Sequence, residues 1–419
     1  MSDPTMTVDH ATEDDRYLAT DKLVWFDENE DLPTADQLLG VPPGQRFAAD
    51  TPDADRGTYP GIYGVRPMQL SVPWGDSGRW VQMAGLTWVG VHPDHRRRGV
   101  LRAMVRHHVE QTHREGVPIS GLHASEPVIY GRYGYGLASQ SATLAVSRGT
   151  TFTAPGLDDT AAALTTRLAT ESGEALVRRT MACELRVGET LPGSVIGAED
   201  YYAAVLRESP EDLRGNEPRR LLFATSDGVD LGLAAFRRRS KWDQHRPAGT
   251  LQVHALIGAP STRLALLRRL VDFDLISTVK LPETAVDDPL WEWLGPRSAS
   301  DVTPADNLWL RIIDLPAALA LRGYDAACDV VIELVDDCAP WQAGRWRIVV
   351  EAGEGRAERT DAAPDVELPV AALGSAFLGG SNLLVRQRAG LLPDIRPGAV
   401  GELWRAFRTD LPPVASIGF

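Results

Sequence analysis

The sequence predicts an α/β protein with α+β mixed sheets, divided into several domains. Its 419 residues exceed what a single hydrophobic core usually serves. Residues 82–91 are rich in β-branched and aromatic side chains and are followed by a turn, which is typical of a strand. Apolar residues then recur at helical spacing from Val100, and a second apolar run lies at 117–122. This order of strand, helix and strand indicates a βαβ unit.

The same alternation continues along the rest of the chain. In the middle we predict helices at 174–186, 198–207 and 262–272, with strands at 221–225, 232–237 and 250–257. A stretch bearing Pro and Asp follows, and beyond it we predict strands at 330–335, 346–350 and 366–368 and helices at 370–378 and 400–409. The expected domains are therefore 1–148, 149–300 and 301–419.

Composition limits the partners and the compartment. A net charge of −14 disfavours binding to nucleic acid or to an anionic membrane. The sequence contains no run of ~20 apolar residues and no apolar secretory signal near its first residue. The three cysteines show no metal-ligand spacing and fit a reducing compartment. We expect a cytoplasmic protein that contacts neither nucleic acid nor membrane.

An arginine-rich turn precedes the helix that begins at Val100. The unpaired backbone N–H groups of a helix start and its dipole favour phosphate, and Gly99 allows close approach of the backbone. The guanidinium groups of Arg97, Arg98 and Arg102 add charge-assisted hydrogen bonds. By residue type alone, the turn could also be a solvated face that binds anions in general. The flanking strands favour a nucleotide phosphate site.

Arg96-x-x-Gly99 matches the Arg/Gln-x-x-Gly-x-Gly/Ala signature of GNAT acetyltransferases, although Leu101 replaces the second small residue. HPDHRRRGVLRAM followed by LHASEPVIYGRYGYG resembles the enhanced intracellular survival (Eis) family of bacterial N-acetyltransferases. The resemblance implies tandem GNAT-like domains, the second degenerate, followed by a sterol-carrier-protein-like domain beginning near NLWLRIIDLPAALALRGY. It also implies a homohexamer.

The resemblance further implies the site residues. Tyr130 would be the general acid, and the terminal carboxylate of Phe419 the general base. Ser125 and Glu126 would lie beside the pantetheine arm of acetyl-CoA. The remaining cofactor contacts would come from the strand end and the turn, namely Val89, Gly90, Val91, Arg97, Arg98, Gly99, Val100, Leu101 and Arg102.

Acid and base roles of this kind suit acetyl transfer. An attacking amine must lose a proton, and a leaving thiolate, with a reference pKa of ~8.5, benefits from gaining one. An α-carboxylate, with a reference pKa of roughly 3.5, becomes a stronger base when it is desolvated. The apolar tail 414–419 carries no charged side chain, which favours such burial.

Other polar and aromatic residues have competing interpretations. Trp25 and Phe26 adjoin the acidic run 27–31 and could line a pocket for a cationic amine, as could Trp88, although such runs are usually solvated loops. His123 and Ser125 could form a nucleophile and base, but no geometry supports that pairing. The histidines complete no metal-ligand spacing, so no metal is expected.

The predicted function is acetyl-CoA-dependent N-acetylation by direct attack of a substrate amine. The resemblance implies aminoglycoside-like acceptors, while a protein lysine or a polyamine remains open. The competing hypothesis is a non-enzymatic acyl-CoA sensor whose last domain carries a lipid.

Overall fold

The structure is a computed structural model that describes residues 6–25, 37–208, 213–295 and 302–419. Phe26 and the acidic run 27–31 lie outside the described residues. The first elements along the chain are β1 (Thr7–His10), α1 (Asp14–Trp25), β2 (Arg46–Asp50), β3 (Gly61–Trp74), β4 (Ser77–Val91), α2 (Val100–Arg114), β5 (Ile119–Leu122), α3 (Pro127–Tyr130), β6 (Gly136–Leu137), β7 (Gln140–Thr143) and β8 (Ala145–Ser147).

The central part of the chain contains the three helices and three strands that the spacing of apolar residues predicts. Its elements are α4 (Asp158–Ala162), β9 (Thr165–Leu168), α5 (Gly173–Gly188), β10 (Val195–Gly197), α6 (Glu199–Leu206), β11 (Arg220–Ser226), β12 (Val229–Arg239), β13 (Trp242–Asp243), β14 (Arg246–Pro247), β15 (Gly249–Gly258), α7 (Pro260–Leu270), β16 (Ile276–Lys280), β17 (Thr284–Ala285) and α8 (Pro289–Leu294).

The last part of the chain confirms the predicted strands and helices and adds several short elements. Its elements are β18 (Thr303–Asp306), β19 (Trp309–Ile312), α9 (Leu315–Leu321), β20 (Cys328–Val335), β21 (Gly344–Glu351), β22 (Glu354–Arg359), β23 (Val366–Pro369), α10 (Val370–Ala376), α11 (Leu383–Arg388) and α12 (Ala399–Phe407).

Three main sheets organise these strands. The first runs β1-β2-β3-β4-β5-β19-β6, with β10 paired to β3. The second runs β8-β16-β15-β12-β11-β9, and the third runs β22-β21-β20-β23. Strand β19, from the last part of the chain, lies between β5 and β6 and pairs antiparallel with both. The first sheet is therefore completed by residues almost 200 positions downstream of β5.

A single hydrophobic cluster joins the first sheet to the third. It contains Leu70 of β3, Ile119 of β5 and Leu310 of β19, packed with Ile332 of the third sheet and Phe407 of α12. Helix α12 buries one face, with Val400, Leu403, Ala406 and Phe407 at three- and four-residue spacing. Burial of α12 sets the point at which the C-terminal tail begins.

An ion pair between Arg311 and Asp336 lies inside this junction. Their side chains are only 0% and 1% exposed, and Nη2 of Arg311 donates to both carboxylate oxygens of Asp336 at 2.8 Å. Nη1 of Arg311 donates to the backbone oxygen of Tyr133, while Gln342 Nε2 donates to Asp336 at 2.8 Å. The pair therefore links β19, the loop after β20 and the loop that follows α3.

We predict that Asp336→Ala destabilises the protein strongly, because Arg311 would remain buried without its carboxylate. Loss of one partner of a buried pair costs about 3–5 kcal/mol. Urea denaturation followed by fluorescence measures this loss. Asp337→Ala is the control because Asp337 is exposed, and it should change the free energy of unfolding by less than about 0.5 kcal/mol. Equal midpoints for the two variants would contradict the prediction.

Candidate active site

A tight turn connects β4 to α2. His92 Nδ1 accepts a hydrogen bond from the backbone N–H of Asp94, and Gly99 caps α2 with φ of +88°. Arg97 also has a positive φ, +64°, which is uncommon for a residue with a side chain. The first turn of α2 therefore presents its free backbone N–H groups next to the arginines of the turn.

Strand β4 diverges from β5 beside this turn. The two strands pair in parallel only at Ala84 with Ser120 and at Gly85 with Gly121. Further along, Trp88 adopts φ of +52°, where the register between β3 and β4 shifts. This irregularity bends the last residues of β4 away from its neighbour. The result is a fork whose unpaired backbone groups are open to a ligand.

A cleft of about 1220 Å³ begins at this fork and contains most of the residues assigned to acetyl-CoA. Gly90 faces Val24 of α1 instead, and Ser125 is exposed and does not line the cleft. The predicted residues that line it are Val89, Val91, Arg97, Arg98, Gly99, Val100, Leu101, Arg102, Glu126 and Tyr130.

The cleft is strongly positive. Six arginines line it, and Arg98 forms an exposed ion pair with Asp53 at 3.2 Å. Burial raises the pKa of the Tyr133 hydroxyl, while Arg132, Arg102 and Arg106 act in the opposite direction. The charge and size of the cleft, together with the helix start, suit a ligand that carries several phosphates. Asp337 and Cys338 from the last part of the chain close the far wall.

Tyr130 ends the one-turn helix α3 at the edge of the cleft. Burial, with a smaller contribution from Glu126, raises the pKa of Tyr130 to about 12. Its ring packs edge-on against Tyr135, with centroids 6.1 Å apart. A phenol with this pKa keeps its proton at neutral pH and can donate it. Tyr135 is fully buried and hydrogen-bonds to Ser120 at 2.8 Å, which is a packing role.

The C-terminal tail is held by partners from distant parts of the chain. The N–H of Ala415 donates to Asn307 Oδ1 at 2.8 Å. Ser416 Oγ donates to the backbone oxygen of Val195 at 3.2 Å. The Tyr201 hydroxyl donates to the backbone oxygen of Gly418 at 2.6 Å. These contacts fix the position of the backbone just before Phe419.

Phe419 lies against the start of the fork. A Cβ on Gly85 would stand 3.0 Å from Cε2 of Phe419 and 2.9 Å from Cγ of Met68, so a larger residue there would displace these side chains. The ring also meets His123 edge-on, with centroids 5.0 Å apart. His123 immediately follows β5, and burial lowers its pKa although Glu283 opposes that shift. The Phe419 ring is therefore packed where β4 and β5 separate.

A second cavity, of about 390 Å³, lies behind the tail. It is lined by residues 414–418 together with His123, Glu283 and Asn307. Glu283 accepts hydrogen bonds from Ser141 Oγ and Asn307 Nδ2, both at 2.9 Å. His254 and the ion pair of Arg263 with Asp288 also line this cavity. We call it the tail cavity.

Two of the aromatic residues assigned to a substrate pocket, Trp25 and Trp88, lie within the described residues. Trp25 is exposed at the end of α1, and Trp88 stacks on Tyr17 with centroids 6.0 Å apart. Neither residue lines the cleft or the tail cavity. The residues that sequence patterns missed are Gly85, Tyr201, Glu283 and Asn307, and no local motif marks them.

Within the described ranges, no group of three or more His, Cys, Asp or Glu residues is arranged to hold a metal ion. Over the same ranges, each helix is too short or too polar to cross a bilayer.

Comparison with known families divides the chain into three parts. Residues 54–138 and 195–312 each match an Acetyltransferase (GNAT) domain, and residues 315–416 match a Sterol carrier protein domain. The fold is thus two GNAT domains followed by a domain like sterol carrier proteins, as predicted. GNAT acetyltransferases use acetyl-CoA as the acyl donor.

Similar proteins cover most of the chain. An uncharacterized N-acetyltransferase of Streptomyces coelicolor is 35% identical over 367 residues, 86% of each chain. N-acetyltransferase Eis of Mycobacterium tuberculosis is 31% identical over 339 residues, covering 78% of this chain and 79% of that protein.

Solved structures show the same arrangement. Eis1 from Mycobacterium abscessus superposes with a TM-score of 0.80 at 29% identity, covering 99% of this chain and 100% of its own. A GCN5-related N-acetyltransferase from Anabaena variabilis shares the fold, with a TM-score of 0.81 at 16% identity over 99% of this chain and all of its own. Because it shares its fold and 31% of its aligned sequence with these relatives, the chain belongs to the Eis family of GNAT N-acetyltransferases.

Proposed function

We propose that the protein transfers the acetyl group of acetyl-CoA to an amine of a cationic, aminoglycoside-like acceptor, with Tyr130 as general acid and the Phe419 carboxylate as general base. The observation that carries this proposal is the packing of Phe419 against Gly85, at the fork beside the cleft. A tail tethered to Val195, Tyr201 and Asn307 supports a defined role for the last residue.

In the proposed reaction the amine nitrogen attacks the thioester carbonyl directly. The C–N bond forms as the amine proton passes to the Phe419 carboxylate. The tetrahedral intermediate then collapses, the C–S bond breaks, and the departing thiolate takes the proton of the Tyr130 hydroxyl. Backbone groups of Val89, Gly90 and Val91 at the fork would hold the acyl donor and polarise its carbonyl.

The phosphates of the donor would be held by the turn and the first turn of α2. Arg97, Arg98 and Arg102 supply charge there, and Gly99 allows the backbone to approach. Glu126 and Ser125 would flank the pantetheine arm.

The acceptor would enter through the tail cavity, where Glu283 attracts cations. The family resemblance also supports a homohexamer, which sedimentation equilibrium tests.

We predict that Tyr130→Phe lowers kcat roughly 100-fold because the leaving thiolate loses its proton donor. Thiol release from acetyl-CoA with an aminoglycoside as acceptor measures the rate, and calorimetry measures the acetyl-CoA Kd. The Kd should stay within about twofold. Tyr133→Phe, a phenol in the same cleft, is the matched control and should keep its activity. Full turnover by Tyr130→Phe would remove this residue from the mechanism.

Appending three residues after Phe419 should abolish turnover, on the order of 100-fold or more, because the base would no longer be the terminal carboxylate. The acetyl-CoA Kd should be unchanged, and the same three residues at the N-terminus serve as control. If the protein is instead a non-enzymatic sensor or lipid carrier, neither the native chain nor the two extended chains should release thiol in an amine-dependent way. Equal rates with and without the extension would exclude the proposed base.

Gly85→Ala should lower kcat roughly tenfold to hundredfold, because the new methyl group would meet the Phe419 ring and Met68 Cγ at 3.0 and 2.9 Å. This variant leaves the chain length and the carboxylate intact, so it tests position alone. Steady-state kinetics and the acetyl-CoA Kd separate an effect on kcat from an effect on acetyl-CoA binding. Gly44→Ala, where nothing stands within 4 Å, is the control. Unchanged kcat in Gly85→Ala would contradict a role for the packed ring.

A further inference from the structure

A buried carboxylic acid lies on α5, which precedes the part of the chain that matches the second GNAT domain. Glu184 of α5 is only 5% exposed. Its Oε2 accepts a hydrogen bond from the hydroxyl of Tyr202 on α6. Both residues line a cavity of about 200 Å³, together with Tyr201, His254 and Gly418. We call it the Glu184 cavity.

Glu184 accepts a hydrogen bond from Tyr202 and forms no ion pair with another described residue, although Arg219 also lines the cavity. Burial raises its pKa to about 7, and the hydrogen bond from Tyr202 acts against that rise. Tyr202 itself remains neutral, because burial and Glu184 raise its pKa well above the usual range. A desolvated carboxylate is costly unless a positive group pairs with it. The empty volume beside Glu184 is the place where such a group would fit.

The Glu184 cavity is next to the proposed catalytic end of the chain. The hydroxyl of Tyr201 donates to the backbone oxygen of Gly418, the residue before the terminal carboxylate. The tail cavity and the Glu184 cavity share His254 and Ala255, and they also share residues 416–418 of the tail. A ligand reacting at Phe419 can therefore extend an arm toward Glu184.

We propose that Glu184, with the hydroxyl of Tyr202, binds a second, non-reacting ammonium group of the acceptor. This inference rests on the proposed function and deepens it, because it makes molecules with two amines the preferred acceptors. Liquid water occupies about 30 Å³ per molecule, so the cavity has room for a short aminoalkyl arm. The tyrosine rings around the cavity also favour a cation.

The test compares 1,4-diaminobutane with n-butylamine, which differ only in the second amine. In the wild type the diamine should have the lower KM. Glu184→Gln should raise the diamine KM by about tenfold to hundredfold, which is the effect of losing one charge-assisted hydrogen bond. Its kcat, and both constants for n-butylamine, should change less than about twofold. Glu199→Gln makes the same charge change on an exposed residue and is the control.

A second measurement is the pH dependence of the ratio of kcat/KM for the diamine to kcat/KM for the monoamine. A residue with only a packing role would not change this dependence. The titratable or charged groups around the cavity are Tyr201, Tyr202, Arg219 and His254. The ratio should rise as Glu184 ionises near pH 7 and stay flat in Glu184→Gln. Tyr202→Phe removes a hydrogen bond that favours the ionised acid, so the rise should move to higher pH.

Two results would overturn the inference. One is an equal loss for both amines in Glu184→Gln, which indicates a structural hydrogen bond between α5 and α6. The other is an unchanged diamine KM in Glu184→Gln when that variant has the same thermal midpoint as the wild type. Calorimetry of 1,4-diaminobutane binding separates this inference from the proposed function. If the diamine binds in a Glu184-dependent way but is not acetylated, the binding site is supported and the proposed reaction is contradicted. If the diamine neither binds nor is acetylated, both are contradicted.

Discussion

The pairing of β19 with β5 is the constraint on which the rest of the molecule depends. It places Trp309–Ile312 beside Ile119–Leu122, so a strand from the last part of the chain covers the free edge of the GNAT sheet. The hydrophobic cluster that spans the first and third sheets follows from this pairing. Because α12 packs on the same cluster, the chain leaves its last helix within reach of the fork. The position of the C-terminal tail therefore depends on a strand pairing far from it in sequence.

Buried polar groups hold this junction in one arrangement. Arg311 pairs with Asp336, while Arg322 donates to the backbone oxygens of Phe377 and Phe407, where α10 and α12 end. Burial lowers the pKa of Arg322 to about 10, so the group stays charged. Each such donor must find its acceptor or leave a costly unpaired charge. These contacts favour a single relative position of the domains and of the tail. Glu184 differs from them because its partner is a neutral phenol.

The last domain contributes to both sides of the proposed site. Its loop at Asp337 and Cys338 closes the cleft, and its tail lines the tail cavity and the Glu184 cavity. A fold shared with sterol carrier proteins thus acts here as a framework around a GNAT site. Tyr201 of the second GNAT domain donates a hydrogen bond to the tail, and Glu184 of the preceding helix α5 lines the cavity beside it. In our proposal, donor and acceptor recognition are divided between the two GNAT domains.

The sequence by itself determined the local features. Apolar spacing predicted α2, α5, α7 and α12, and the motif around Gly99 marked a turn at a helix start, because these depend on residues within a few positions of one another. It could not show that β19 joins the first sheet, that Phe419 packs on Gly85, or that Glu184 faces the tail. Those contacts join residues hundreds of positions apart and leave no periodic trace. Only the tertiary structure decided them, because each depends on how separately predictable elements pack and on which buried polar groups then find partners.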